Sequence, residues 1–112
     1  MPTQNERWQE RIDAIKRELF ELGEMRPGAL SKQFNVCGKA GCRCKDSKNP
    51  RKHGPYFQVS YTHLGKSTTE FVKAEALATV QEQLANYARF KALTLEWVQL
   101  SLRVAKRRRS AK

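Results

Sequence analysis

Residues 37–56, CGKAGCRCKDSKNPRKHGPY, contain all three cysteines of the chain, one of its two histidines and six basic side chains. The candidate ligands are spaced Cys37-x4-Cys42-x-Cys44-x8-His53. Three thiolates and one imidazole form a tetrahedral zinc set, and Gly38 and Gly41 let the backbone turn between the first two thiols. In a chain this short, a closed structural site would contribute directly to folding. The spacing departs from the usual two to four residues between paired ligands, because Cys42 and Cys44 are separated only by Arg43. His53 is the natural fourth ligand by position, with His63 and Asp46 as alternatives. The competing reading is a loop of reduced, partly buried cysteines with His53 hydrogen-bonded in a turn. Three cysteines within eight polar residues make poor core material, which favours the metal. An iron–sulfur cluster would more often bring a fourth cysteine, and a redox pair would more often show C-x-x-C.

The same stretch is strongly basic. Twenty-two Lys and Arg against eleven Asp and Glu give a net charge of +11, unevenly spread. Residues 1–30 carry five basic and six acidic side chains, residues 31–73 nine and two, and residues 74–112 eight and three. Lys32, Lys39, Arg43, Lys45, Lys48, Arg51 and Lys52 cluster in the middle and are opposed there only by Asp46. Cations held on a folded loop suit phosphate contacts, which release counterions from a nucleic acid. A zinc centre with three thiolates is itself negative, so Arg43 and Lys45 could equally serve to balance it. Lys66 in a turn, and Arg107 and Arg108 in the basic tail, extend the candidate surface. The tail can also be read as a solvated helix end whose cations favour the C-terminal dipole.

These residues need elements to position them. Thr3 and Glu6 have capping-box spacing, and Trp8, Ile12, Ile15, Leu19 and Leu22 then line one face, predicting a helix over 3–23 that stops at Gly23. Residues 31–55 are expected to form the Cys/His basic loop, entered through Ser31–Asn35. In 56–72, Phe57, Val59 and Tyr61 alternate with Gln58, Ser60 and Thr62, and a turn at His63–Lys66 leads into a β-branched return. That predicts a β-hairpin, which must pack on a helix, a metal site or another strand. As a ribbon it would turn Gln58, Ser60, Thr62, Lys66 and Thr68 outward, and Tyr56, Phe57 and Tyr61 could stack on bases.

Residues 74–109 lack Gly and Pro and read as one long helix, or two with a bend. Leu77, Val80, Leu84 and Tyr87 form one stripe. Phe90, Leu93, Trp97, Leu100 and Val104 form a second, offset by one residue, and Leu95, Val98, Leu102 and Ala105 add a further apolar face. A helix apolar on two faces expects more than one neighbour, one of them a second subunit.

Several classes are disfavoured. Gly65-Lys66-Ser67-Thr68 looks like the end of a phosphate-binding loop, but position 60 is Ser where that pattern requires Gly. There is no carboxylate pair in an apolar setting and no nucleophile with a matched base, so no enzyme is expected. No apolar run approaches a membrane span, and MPTQNERWQERI lacks the apolar core of a signal peptide. A reducing cytoplasm is the expected setting.

From Met25 onward the chain resembles a family of small bacterial proteins of unknown function marked by C-G-x-x-x-C-x-C, then H-G-P-Y and a G-K-[ST] hairpin. Here these are Cys37-Gly38, Cys42 and Cys44; His53-Gly54-Pro55-Tyr56; and Gly65-Lys66-Ser67. The resemblance implies a setting near transposase and other mobile-element genes and names no activity. The expectation is thus one α+β domain over 1–112: N-terminal helix, zinc-stapled basic loop, β-hairpin and a long, coiled-coil-like helix that forms a homodimer. Its expected role is a zinc-stabilised nucleic-acid-binding accessory or regulatory protein, on DNA before RNA. The alternatives are a protein–protein module whose long helix binds a recombinase or transposase, and an RNA-binding protein.

Overall fold

The computed structural model describes residues 3–35 and 53–110. The protein is α+β, with helix α1 (Gln4–Glu21), strands β1 (Ala29–Asn35), β2 (His53–His63) and β3 (Lys66–Val72), a 3-10 turn at Ala74–Ala76, and helix α2 (Leu77–Ser110). It divides into two compact units, 1–25 with 85–112, and 26–84. Among the described residues no helix is long and apolar enough to cross a membrane.

The first unit is a pair of helices. Thr3 caps α1 as its spacing predicts: its Oγ1 accepts from Glu6 N at 3.2 Å, and its own N–H donates to Glu6 Oε2 at 3.2 Å. The helix ends at Glu21, and Leu22 is extended at φ −61° and ψ 137°, so Gly23 is not used as a left-handed cap. Ile12 and Ile15 are buried against Leu93 and Leu100, with Trp8, Leu19, Leu22, Trp97 and Val104 packed around them. The predicted faces of both helices meet here.

Two ion pairs flank this core and record its register. Arg11 donates to Glu96 twice, at 2.7 and 2.9 Å, and Arg89 donates twice to Glu18. Seven residues forward along α1 correspond to seven back along α2, so the helices run antiparallel. The sign of the pair is reversed between the two positions, which opposes a one-heptad slip. Hydrogen bonding from the arginines, set against some desolvation, holds the Glu18 and Glu96 carboxyls below the usual carboxylate range.

The second unit is a three-stranded antiparallel sheet in the order β1-β2-β3, covered on one face by the start of α2. Val59, Val72 and Val80 are buried, with Leu30, Phe57, Tyr61, Ala76, Leu77 and Leu84 packed against them. The hairpin therefore finds both a helix and another strand. That other strand, β1, occupies residues the sequence reading assigns to the entrance of the loop. Its period-two signal was present in Leu30, Lys32 and Phe34, but a lysine stands at the middle position of the covered side.

β2 and β3 join through Leu64 and Gly65, at φ 50° and 80°, between the paired residues His63 and Lys66. Two consecutive left-handed residues match the twist of a tight hairpin. Gly65 takes its conformation freely, whereas Leu64 does so against the Cβ penalty and with 92% of its surface exposed. At the start of β1, Gly28 has φ 129°, and a Cβ there would lie 2.8 Å from the Ser60 carbonyl oxygen. Only glycine lets β1 begin so close to β2.

α2 is one continuous helix from Leu77 to Ser110. Its first stripe, Leu77, Val80 and Leu84, serves the sheet, and its second, Leu93, Trp97, Leu100 and Val104, serves α1. The one-residue offset between the stripes corresponds to this change of neighbour.

Candidate nucleic-acid interface

The open face of the sheet follows from register. Pairing of Phe57 with Val72 and of Lys32 with Phe57 puts the odd-numbered residues of β2 and the even-numbered residues of β1 and β3 on the covered side. The opposite face presents Tyr56, Gln58, Ser60 and Thr62 from β2, Ser67, Thr69 and Phe71 from β3, and Ala29, Ser31 and Gln33 from β1. No residue at these positions is charged. Ser60 and Thr69 hydroxyls lie 3.1 Å apart, and those of Thr62 and Ser67 2.9 Å, so cross-strand hydroxyl pairs run along this face.

Two expectations about the hairpin change. The two-residue turn puts Lys66 and Thr68 on the register positions of the covered side, so they do not join Gln58, Ser60 and Thr62. Of the three proposed stacking aromatics, Phe57 and Tyr61 pack towards the valine core, and only Tyr56 belongs to the open face. Phe71 shares that face, paired with Gln58 and 75% exposed. Turn length could have found it: once His63 pairs with Lys66, residue 71 must stand opposite residue 58.

The basic segment is rooted in the same sheet. Asn35, the last residue of β1, pairs with His53, the first of β2. Between this pair and Gln33–Tyr56 lies a bulge, with Phe34 on one strand against Gly54 and Pro55 on the other. Proline fits there because β3 pairs with β2 only from Phe57 onward, so no N–H is needed on that side. Cys37, Cys42, Cys44, Asp46 and the cations Lys39, Arg43, Lys45, Lys48, Arg51 and Lys52 lie outside the described residues, as does the His53 side chain. Among the described residues no group of three or more His, Cys, Asp or Glu could hold a metal.

The other candidate cations are dispersed. Lys32 is exposed on β1, with its Nζ 5.5 Å from the Phe34 ring centroid. It stands at the Phe57 position of the sheet and Lys66 at the His63 position, about 20 Å apart along β2 by the rise of a strand. Arg107 and Arg108 are exposed near the end of α2. Arg107 lines a shallow cavity of about 390 Å³ with Trp8, Arg103 and Lys106, and Arg108 lines another with Lys16 and Trp97. These are cationic rims around indoles, a further arrangement that single-residue spacing does not reveal.

A cleft at Arg26, Pro27, Tyr61, His63 and Glu70 gathers several titratable groups. Glu70 is engaged there on both oxygens, accepting from the Tyr61 hydroxyl at 3.3 Å and facing Arg26 at 3.6 Å. That makes it a strut between β3 and the entry to β1.

The fold and site define a small α+β protein with a basic segment hung from paired strand ends. Residues 5–82 match the model of a family described as a domain of unknown function (DUF6788), and the chain belongs to that family. The matched span takes in α1 from its second residue, all three strands and the first turns of α2. No curated protein and no solved structure matches the chain.

Proposed function

We propose that this protein is a zinc-stapled, DNA-binding accessory or regulatory factor, and that its resemblance to proteins found near transposase genes reflects a mobile-element setting. The observation that carries this reading is the pairing of Asn35 with His53, which anchors both ends of the segment 36–52 on adjacent strands. A segment so anchored holds six cations against one acid, and three thiols together with the imidazole at its root fit a tetrahedral zinc. Cys37, Cys42, Cys44 and His53 would hold the ion, whose contribution is to fix the loop. The cations would then meet phosphates as a preorganised surface. The role is binding, without a catalytic step.

The test is duplex binding across a salt series. We expect micromolar or tighter affinity that falls steeply with salt, and a shallower slope when Lys48, Arg51 and Lys52 are neutralised together. No binding to duplex DNA or structured RNA at physiological salt would overturn the reading.

A second reading has its own support. Leu95, Val98 and Leu102 on α2 are 60, 56 and 58% exposed, at heptad spacing. This stripe favours a homodimer, or a recombinase or transposase partner, and sedimentation of Leu95→Glu/Leu102→Glu against the wild type tests the dimer.

A further inference from the structure

We infer that the exposed seam of α2 docks an acidic amphipathic helix of another protein. The inference rests on the second reading above and adds the chemistry by which the partner is chosen.

The seam is narrow and regular. Lys91, Leu95, Val98, Leu102 and Ala105 follow one another at 4,3,4,3 spacing, and all five are exposed. They lie across the helix from Leu93, Trp97, Leu100 and Val104, the stripe that α1 covers. An apolar stripe confined to heptad positions is a surface that another helix fits, each side chain entering a gap between four others. A helix that lies on a membrane presents a broader apolar face that carries aromatic residues, which this seam lacks.

Charge selects among helices. In the span 91–106 the one acid is Glu96, and Arg11 holds it at 2.7 Å. Lys91 stands at one end of the seam and Arg103 and Lys106 at the other, all exposed. The two lysines are about 22 Å apart by the rise of a helix. The Lys91 ammonium lies 4.9 Å from the Tyr87 ring centroid, which keeps its charge beside the seam.

A second copy meets this arrangement badly in either direction. In a parallel pair each lysine would face its own counterpart. In an antiparallel pair Lys91 would face the end that carries Arg103 and Lys106. A foreign helix with apolar residues at matching heptad positions and carboxylates about four turns apart would instead meet a cation at each end. The covered face of α2 already uses this device, with Arg–Glu pairs beside its apolar contacts to α1.

The test uses the full chain in sedimentation velocity and in fluorescence anisotropy with three labelled synthetic helical peptides. One has a leucine–valine–leucine seam flanked at both ends by glutamates, the second has lysines in place of the glutamates, and the third is the acidic peptide in scrambled order. We expect a monomer that binds the acidic peptide about tenfold more tightly than the lysine peptide, because two attractive pairs replace two repulsive ones. Lys91→Glu/Lys106→Glu should reverse that preference, and Leu95→Gln/Leu102→Gln should lose the acidic peptide. All four side chains are exposed, so unchanged thermal unfolding will confirm that the variants fold. A wild-type dimer that Leu95→Gln/Leu102→Gln dissociates would overturn the inference and leave the second reading standing. Equal affinity for the scrambled or the lysine peptide would overturn it too, as would binding to phosphatidylserine vesicles that the glutamine variant abolishes. A monomer that binds none of the three peptides removes the inference together with the dimer of the second reading.

Discussion

The two units spend their residues differently. The helical pair closes on the Ile12–Ile15–Leu93–Leu100 core with Trp8 and Trp97 beside it and two reversed Arg–Glu pairs, and leaves Phe20, Leu95, Val98 and Leu102 exposed on its helix surfaces. The sheet unit closes on three small valines and leaves Phe71 and Tyr56 exposed on its open face. A unit with a thin core is where a stabilising ion has something to add, so the comparison directs the search for the metal to the sheet.

The sharpest test of that contrast is metal removal. If zinc staples the sheet unit, a chelator should raise amide hydrogen exchange across β1, β2 and β3 far more than in α1 and the second half of α2. Elemental analysis should find one ion per chain, lost in Cys42→Ser. Structural zinc is worth about 10–16 kcal/mol in small domains, so this is the largest effect expected. Equal protection of the strands with and without chelator would break the contrast.

Next comes the core of the other unit. Leu93 is fully buried, and Leu93→Ala should lower stability by about 2–5 kcal/mol in urea unfolding. The same variant should keep its affinity for DNA, because nothing in the proposed interface depends on Leu93.

The smallest effect belongs to the ion pairs. Arg11→Glu should destabilise the helical pair, and adding Glu96→Arg should restore most of the loss. A depressed carboxyl pKa gives stability that is present above the unfolded value, near 4.3 for glutamate, and is lost as pH falls through the folded value. Acid unfolding of the wild type should therefore begin below about pH 4.3, and the Glu18→Gln/Glu96→Gln variant should show a flatter acid limb. These pairs are more than a third exposed, so salt should weaken them.

Legibility in the sequence divides along the same line. Helical periodicity is redundant: five apolar positions at 4,3,4,3 spacing identify α1, and the offset stripes of α2 record its two neighbours. The hairpin was legible from alternation alone. β1 was not, because a short strand with a lysine on its covered side looks like the loop it leads into. Phe71 escaped notice because face assignment in a sheet depends on register, and a one-residue difference exchanges the faces. The cysteine set lies outside the described residues, and the fold adds only what spacing cannot, that His53 begins a strand paired with β1, which ends at Asn35.

Leu64 carries a consequence for the order of folding. A leucine in the left-handed region is disfavoured in the open chain, so the turn between β2 and β3 is a poor nucleus. We expect the hairpin to zip from its side chains, with Val59 and Val72 meeting the first turns of α2 before the tip closes. Contacts made after the rate-limiting step govern the unfolding limb of a chevron. Leu64→Asn should accordingly slow unfolding severalfold and leave the refolding rate nearly unchanged in stopped-flow measurements. A faster refolding limb would instead place the tip in the nucleus.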